Sequence, residues 1–351
     1  MNPAETMPVR EAHAIDAARL ARWLDGRLPG TVGTVRIEQF RGGQSNPTYL
    51  LGTDGGRYVL RRKPPGTLLP SAHAVDREFR ILNALANTAV PVPKPLCYCD
   101  DDSVAGTPFY LMEYVDGRIF WNPGLPDLSN AERGAIYDEM NRVIAAIHSV
   151  DPDAVGLADF GRRENFVARQ IERWTRQYRA SELENIDAME RLIEWLPRHV
   201  PAEEPARITH GDYRIDNLIF DRHEIRIRAV IDWELATLGN AFSDFAYHCM
   251  PFRMPAPLRM GLAGLDLAAL GIPAERDYVD MYCVRSGRST GPTSGTLDFY
   301  LAFNLFRLAS ILQGVAARAR LGNASSEHAV ETGSLTRPIA ELGWAQALRA
   351  Q

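Results

Sequence analysis

The sequence has 351 residues, enough for about two domains and for an apolar core that needs no disulfide or metal to hold it. Hydrophobic residues make up 46% and charged residues 24%, which excludes a disordered chain. The net charge of −5 leaves no global footprint for nucleic acid or an anionic membrane surface.

The first residues contain acids and no apolar run, so no signal peptide is expected. Short strands are expected over 34–40, 47–52 and 57–63, the last two joined by a turn at Thr53-Asp54-Gly55-Gly56. Pro64-Pro65-Gly66 ends the third strand, because proline cannot feed a ladder. Helical spacing of Phe79, Leu82, Leu85 and Ala86 predicts a helix over 73–86. Pro91, Pro93 and Pro95 force an extended connection, and another strand follows over 107–114. Beyond it the pattern turns helical, over 129–149, 165–179, 187–199 and 297–320. Ser129 with Glu132 three residues on is a capping-box start. The apolar stretch 299–319 is broken by Asn304, Arg307 and Gln313, so it reads as a core helix and not a membrane span. A β island over 219–220 and 225–232 interrupts the helices. The expected architecture is α+β and bilobal: a small antiparallel-sheet N-lobe over 1–114 and a larger, mainly helical C-lobe over 115–351. The connection falls near 115–118.

The four cysteines, Cys97, Cys99, Cys249 and Cys283, have no disulfide-framework spacing and fit a reducing, cytoplasmic setting as small buried hydrophobes. Only Lys63 and Lys94 are lysines among 39 basic residues, so any role that needs a lysine has two candidates.

The sharpest local signal is His210-Gly211-Asp212-Tyr213-Arg214-Ile215-Asp216-Asn217, followed about fifteen residues later by Val230-Ile231-Asp232. Phosphoryl transfer from ATP needs such a set. An acid sits beside the attacking hydroxyl, while a carbonyl-type oxygen and a second carboxylate hold Mg²⁺ against phosphate oxygens. No Walker A sequence occurs, since no lysine follows a glycine.

This pattern resembles the catalytic and metal-binding loops of the aminoglycoside phosphotransferase family, relatives of the protein kinases. The resemblance implies a protein-kinase-like fold, with ATP and Mg²⁺ used at the junction of the lobes. Asp212 would be the catalytic base, Asn217 and Asp232 the metal ligands, and His210 the residue that orders the loop. Arg214 would contact the γ-phosphate or pair with a neighbouring carboxylate. Asp244, in Ser243-Asp244-Phe245-Ala246-Tyr247, would buttress the loop. Gly42, Gly43 and Ser45 lie where a phosphate-covering loop belongs. Arg61 stands where the family's phosphate-clamping lysine does, with Lys63 a same-face alternative and Glu78 the expected partner. Glu113 and Val115 fall on the segment whose backbone would pair with adenine.

The acceptor is read from charge. Arg169, Arg173 and Arg176 recur at helical spacing, either as a solvated face or as a dock for an anionic group. The segments 165–178, 231–239 and 303–314 are similar to a subgroup whose kinase domains are fused to, or encoded near, acyl-CoA dehydrogenases. That resemblance implies a hydroxyacyl-CoA-type acceptor and a functional link to such a dehydrogenase. A small-molecule acceptor is expected, with no nucleic-acid and no membrane partner. Kinases of an aminoglycoside, amino alcohol or sugar remain alternatives. So does a nucleotide-binding pseudokinase.

Overall fold

A computed structural model describes residues 6–28, 33–41, 46–66, 73–256, 258, 261–288, 294–320 and 329–351. Gly42, Gly43 and Ser45 lie outside the described residues. The chain divides into two compact units, 1–120 with 155–157 and 215–236, and 121–154 with 158–214 and 237–351.

The first unit is built on a six-stranded antiparallel sheet. Its strands are β1 (Thr6–Met7), β2 (Arg36–Phe40), β3 (Thr48–Thr53), β4 (Gly56–Arg62), β5 (Pro95–Cys99) and β6 (Phe109–Glu113), in the order β1-β2-β3-β4-β6-β5. The expected turn closes β3 onto β4, with Thr53 opposite Gly56. Three helices accompany the sheet: α1 (Ala17–Leu24), α2 (Val75–Leu85) and the short α3 (Asp102–Ala105). Leu20, Leu24, Tyr49, Leu51, Leu60, Phe109 and Leu111 form its core.

The sequence pattern does not announce α1, β1, α3 or β5. The segment 95–99, expected as extended connection, pairs with β6 across a bulge between Pro95 and Cys97. It is short and carries little β-branched signal, so only its partner strand makes it a strand. Lys63 lies one residue past the end of β4, and its backbone N–H donates to Pro108 O at 3.0 Å.

The same unit holds the hairpin β8 (Leu218–Phe220) and β9 (Ile227–Val230). Here Gly117 is required by close approach. A Cβ there would come within 2.2 Å of Phe220 O, where the neighbouring Arg118 bridges to Phe220.

The second unit is helical. It contains α4 (Asn130–Ser149), α5 (Phe166–Ala180), α6 (Asp187–Trp195), α7 (Ala241–Cys249), α8 (Leu267–Leu270), α9 (Glu275–Arg285), α10 (Ser294–Arg320), α11 (Ala329–Ser334) and α12 (Thr336–Arg349). A two-stranded ladder joins β7 (Arg207–Thr209) to β10 (Thr237–Gly239). The capping box at α4 is complete: Ser129 accepts from the Glu132 N–H, and Glu132 accepts from the Ser129 N–H at 2.8 Å. Helix α10 is long and apolar enough to cross a membrane by length and composition, but 72% of its most apolar window is buried inside the protein. It packs on α5, α6, α7 and α12, which is the behaviour of a core helix. The expected helix over 187–199 stops at Trp195, and Leu196–Arg198 forms a 3₁₀ turn around Pro197.

Candidate active site

Each unit carries part of the expected constellation, and the peptide between Arg214 and Ile215 is where the motif passes from one to the other. In the first unit, adjacent residues of β4 point to opposite faces of the sheet. Arg61 and Arg62 are both buried, with different partners. Arg62 donates to Ala105 O at 2.6 Å and to the Tyr49 hydroxyl at 2.9 Å, a structural role. Arg61 instead meets Glu78 of α2, Nε to Oε2 at 2.7 Å, and Asp232, Nη2 to Oδ1 at 2.6 Å. Glu234 lies 3.5 Å from the same guanidinium.

Glu78 is 1% exposed, so its carboxylate needs every hydrogen bond it can accept. Besides Arg61, it accepts from Asn46 Nδ2 at 2.7 Å and from the Tyr110 hydroxyl at 3.0 Å. His73 Nδ1 bonds the other end of the Asn46 amide at 3.0 Å. Burial pushes the Glu78 carboxyl up while Arg61 pulls it down, and the Arg61 guanidinium is held firmly protonated against its own burial. Arg61, not Lys63, therefore has the acidic partner expected of the clamp. Nothing in the sequence marks Asn46 or Tyr110 as a partner of Glu78. Their only sequence signal was position, since Asn46 ends the Gly-rich loop and Tyr110 lies on the strand beside β4.

The β8–β9 hairpin sets the two expected metal ligands. The Ile231 N–H donates to Asn217 O at 2.9 Å, so Asp232 follows directly on the residue facing Asn217. Asp232 has φ 67° and ψ 60°, a left-handed conformation uncommon outside glycine, asparagine and aspartate. Asn217 is buried. Three carboxylates, Glu78, Asp232 and Glu234, thus gather around one guanidinium. This local excess of negative charge suits a divalent cation, which takes one or two protein carboxylates and completes its shell with phosphate oxygens. No cluster of three or more histidine, cysteine or acidic side chains able to hold a metal by itself occurs among the described residues. Glu113 lies on β6, where its N–H donates to Lys94 O at 2.9 Å and its carboxylate accepts from the Lys94 N–H at 3.1 Å. Val115 packs with Ile219 and Ala229 in a small apolar cluster.

In the second unit, the His210–Arg214 loop leaves β7 through a tight turn. Gly211 takes φ 82°, which favours glycine. Asp244 of α7 clamps the turn: it accepts from the His210 N–H at 2.7 Å and from the Gly211 N–H at 2.8 Å. Its third partner is His148 Nε2 at 3.1 Å. Burial alone would raise the Asp244 carboxyl, but these bonds hold it below the usual range. His210, fully buried, accepts the Asp212 N–H on Nδ1 at 3.2 Å. Asp212 is thereby positioned by backbone, with its carboxylate accepting from the Tyr247 hydroxyl at 2.5 Å. Arg214 lies 3.0 Å from the same Asp212 oxygen. Arg307 of α10 donates to Gly211 O at 2.7 Å. Tyr247 and Arg307 were missed. Each is remote in sequence, and nothing about either residue type points to this loop.

Of the three arginines expected on one helical face, each has a different fate. Arg176 pairs with Glu172 at 2.5 Å, both about two-thirds exposed. Arg169 donates to Arg162 O at 2.6 Å. Arg173 lies over the Trp174 ring, 5.4 Å from its centroid. A cavity of about 240 Å³ near the start of α5, lined by Arg163, Phe166, Glu203 and Tyr300 among others, contains none of the expected site residues.

His248 on α7 supports the loop from behind, its ring edge-on to Tyr213 at 5.1 Å and its Nε2 2.7 Å from the Tyr278 hydroxyl. Burial lowers this imidazole from 6.5 to about 4. As pH falls below 6.5, the unfolded chain takes a proton that folded His248 refuses until about pH 4. The stability this neutral histidine contributes is therefore whole above that window and is lost on descending through it, at most about 3 kcal/mol. His248→Gln is expected to shrink the fall in unfolding free energy between pH 7 and pH 4.5 by about 2 kcal/mol. Urea unfolding at the two pH values checks this, and an undiminished fall would refute it.

Residues 36–281 match the pattern of the Phosphotransferase enzyme family (APH). The chain belongs to that family of small-molecule phosphotransferases. It is 49% identical over 343 residues to the mouse protein named acyl-CoA dehydrogenase family member 10, covering 97% of this chain and 32% of the relative. It is 42% identical to an Arabidopsis thaliana protein named probable acyl-CoA dehydrogenase IBR3, covering 95% of this chain and 43% of the relative. The chain thus spans about a third to less than half of the length of these curated relatives. A solved structure from Ralstonia eutropha, named as a "putative aminoglycoside phosphotransferase", is 50% identical with a TM-score of 0.87, covering 96% of this chain and all of that one. The fold is accordingly protein-kinase-like and α+β, as the sequence pattern implied.

Proposed function

We propose that this chain transfers the γ-phosphoryl group of ATP to a hydroxyl of a hydroxyacyl-CoA-type acceptor. The observation that carries the phosphotransfer reading is the ion cluster of Arg61 with Glu78 and Asp232, at 2.7 and 2.6 Å. It ties the clamp residue, its helix partner and a metal ligand into one group, as a phosphate-binding site requires. Arg61 would hold the α/β-phosphates, with Gly42, Gly43 and Ser45 covering them. The backbone at Glu113 and Val115 would pair with adenine. Asn217 and Asp232 would hold Mg²⁺. When bound, that ion neutralises charge on the phosphate oxygens. Asp212 accepts the proton of the acceptor hydroxyl as its oxygen bonds to the γ-phosphorus, and ADP leaves. Arg214 moves from Asp212 to the γ-phosphate as the nucleotide binds.

The acceptor class rests on the likeness to proteins named as acyl-CoA dehydrogenases, together with the fact that this chain spans only part of them. A functional link to such a dehydrogenase fits the same likeness, and the unpaired cysteines fit a cytoplasmic setting. ADP release with hydroxyacyl-CoAs, free hydroxy acids, amino alcohols, sugars and aminoglycosides tests the reading. The thioesters are expected to show kcat/KM at least about tenfold above the other classes, a difference of about 1.4 kcal/mol in transition-state binding. A preference for amino alcohols or aminoglycosides would overturn the acceptor, and no turnover with any class would support the pseudokinase alternative.

A further inference from the structure

Two arginines from different helices of the second unit converge on one indole. Arg173 of α5 lies 5.4 Å from the Trp174 ring centroid, and Arg307 of α10 lies 5.6 Å from the same centroid. Arg307 also lies 5.0 Å from the Tyr247 ring. Trp174 is buried, so its ring is a fixed platform for both. Among the described residues neither arginine forms an ion pair with a carboxylate, although the molecule pairs many of its other arginines. Arg307 Nε is buried there without a hydrogen-bond partner.

Like charges held together without an acid repel, although Arg173 is exposed and Arg307 half-buried, so solvent screens part of that cost. The Arg173 guanidinium is pushed down first by burial and then by Arg307. An oxyanion held by both would relieve that repulsion and accept the open guanidinium donors. The place matters as much as the charge. Arg307 donates to Gly211 O at 2.7 Å, and Tyr247, which it overlies, donates to Asp212 at 2.5 Å. A group held here is one residue removed from the proposed base. Arg176 pairs with Glu172 and Arg169 donates to the Arg162 carbonyl, so the proposal is confined to Arg173 and Arg307.

We propose that Arg173 and Arg307 form an oxyanion subsite that holds a carboxylate or phosphate of the acceptor beside Asp212. This deepens the phosphotransferase reading and rests on it: the acceptor is an alcohol carrying a fixed negative charge. A polycationic aminoglycoside meets repulsion at this point.

The test uses Arg173→Gln and Arg173→Lys in the full chain, with three acceptor arms: hydroxyacyl-CoAs, the free hydroxy acids and their neutral methyl esters. The first two arms separate a phosphate source from a carboxylate source. Wild-type protein is expected to prefer a charged arm over the esters. Arg173→Gln is expected to reduce that preference about 10- to 100-fold through KM, the loss of one charge-assisted hydrogen bond, and Arg173→Lys to restore part of it. Equal KM changes for charged and neutral acceptors, or a shift in KM for ATP instead, would overturn the subsite. Pyrophosphate binding by calorimetry needs no turnover. Binding that weakens about tenfold or more in Arg173→Gln supports the subsite even where no acceptor is phosphorylated. Turnover with no preference for charge in the wild type removes the subsite and leaves the phosphotransferase standing.

Discussion

Asp212→Asn is expected to lower phosphoryl transfer about 10²- to 10⁴-fold, the usual contribution of a positioned general base. Asparagine keeps the size of the side chain and an oxygen that can accept from Tyr247, which bonds Asp212 at 2.5 Å in the native protein. The loop itself is held by other groups, chiefly the Asp244 carboxylate on the His210 and Gly211 amides. The variant should therefore remain folded and bind nucleotide, since the residues proposed to hold nucleotide, Arg61 and Glu78, lie in the other unit. Steady-state ADP release, nucleotide titration and thermal melting measured together separate these outcomes. Turnover near the native rate in a folded Asp212→Asn protein would show that some other group takes the proton.

Glu78→Ala is expected to cost about 3 kcal/mol of folding stability, the low end of what breaking a buried ion pair costs. The carboxylate is the acceptor for Asn46 and Tyr110 as well as Arg61, so its loss strands several buried donors at once. The estimate sits at the low end because Asp232 still faces Arg61 at 2.6 Å. That surviving contact has a functional consequence. Without Glu78 the guanidinium is anchored by Asp232 alone, which leaves the proposed clamp less well placed and is expected to weaken nucleotide binding. Glu78→Gln keeps the volume and an acceptor oxygen and should lose less stability. Denaturant midpoints and the KM for ATP check both statements. An Ala variant as stable as the native protein would show that the ion pair contributes nothing net.

The chemistry-bearing loop was legible because its residues lie within one short stretch. The spacing from Asp212 to Asn217, and the apolar strand ending at Asp232, are local patterns. A hairpin such as β8–β9 can be anticipated from composition and turn length alone. Glu78 could be read from its place on a helix after the third strand. Its actual environment could not, because Asn46 and Tyr110 reach it from elsewhere in the first unit. The strand β5 and the ladder of β7 with β10 were illegible for a related reason. Three- to five-residue segments lack a period long enough to declare themselves, and hydrogen bonds to a distant partner create them. Helix α7 escaped because it is buried on nearly every side, leaving no polar face to mark a helical period.

The scarcity of lysine, visible in the sequence, left Arg61 and Lys63 as the candidates for the proposed phosphate clamp. Only the fold gave Arg61 an acidic partner, since Glu78 is on a separate helix and packs against it. The sequence likewise placed Arg169, Arg173 and Arg176 on one predicted face. Only the fold distinguished them, because a charge is silenced or exposed by its neighbours in space: Glu172 for Arg176, the Arg162 carbonyl for Arg169, and a second cation, Arg307, for Arg173. Local spacing determined which residues could do chemistry here. Long-range packing decided which of them are poised for it, because Arg61 and Glu78, 17 residues apart, and Arg61 and Asp232, 171 apart, are equally close once the chain has folded.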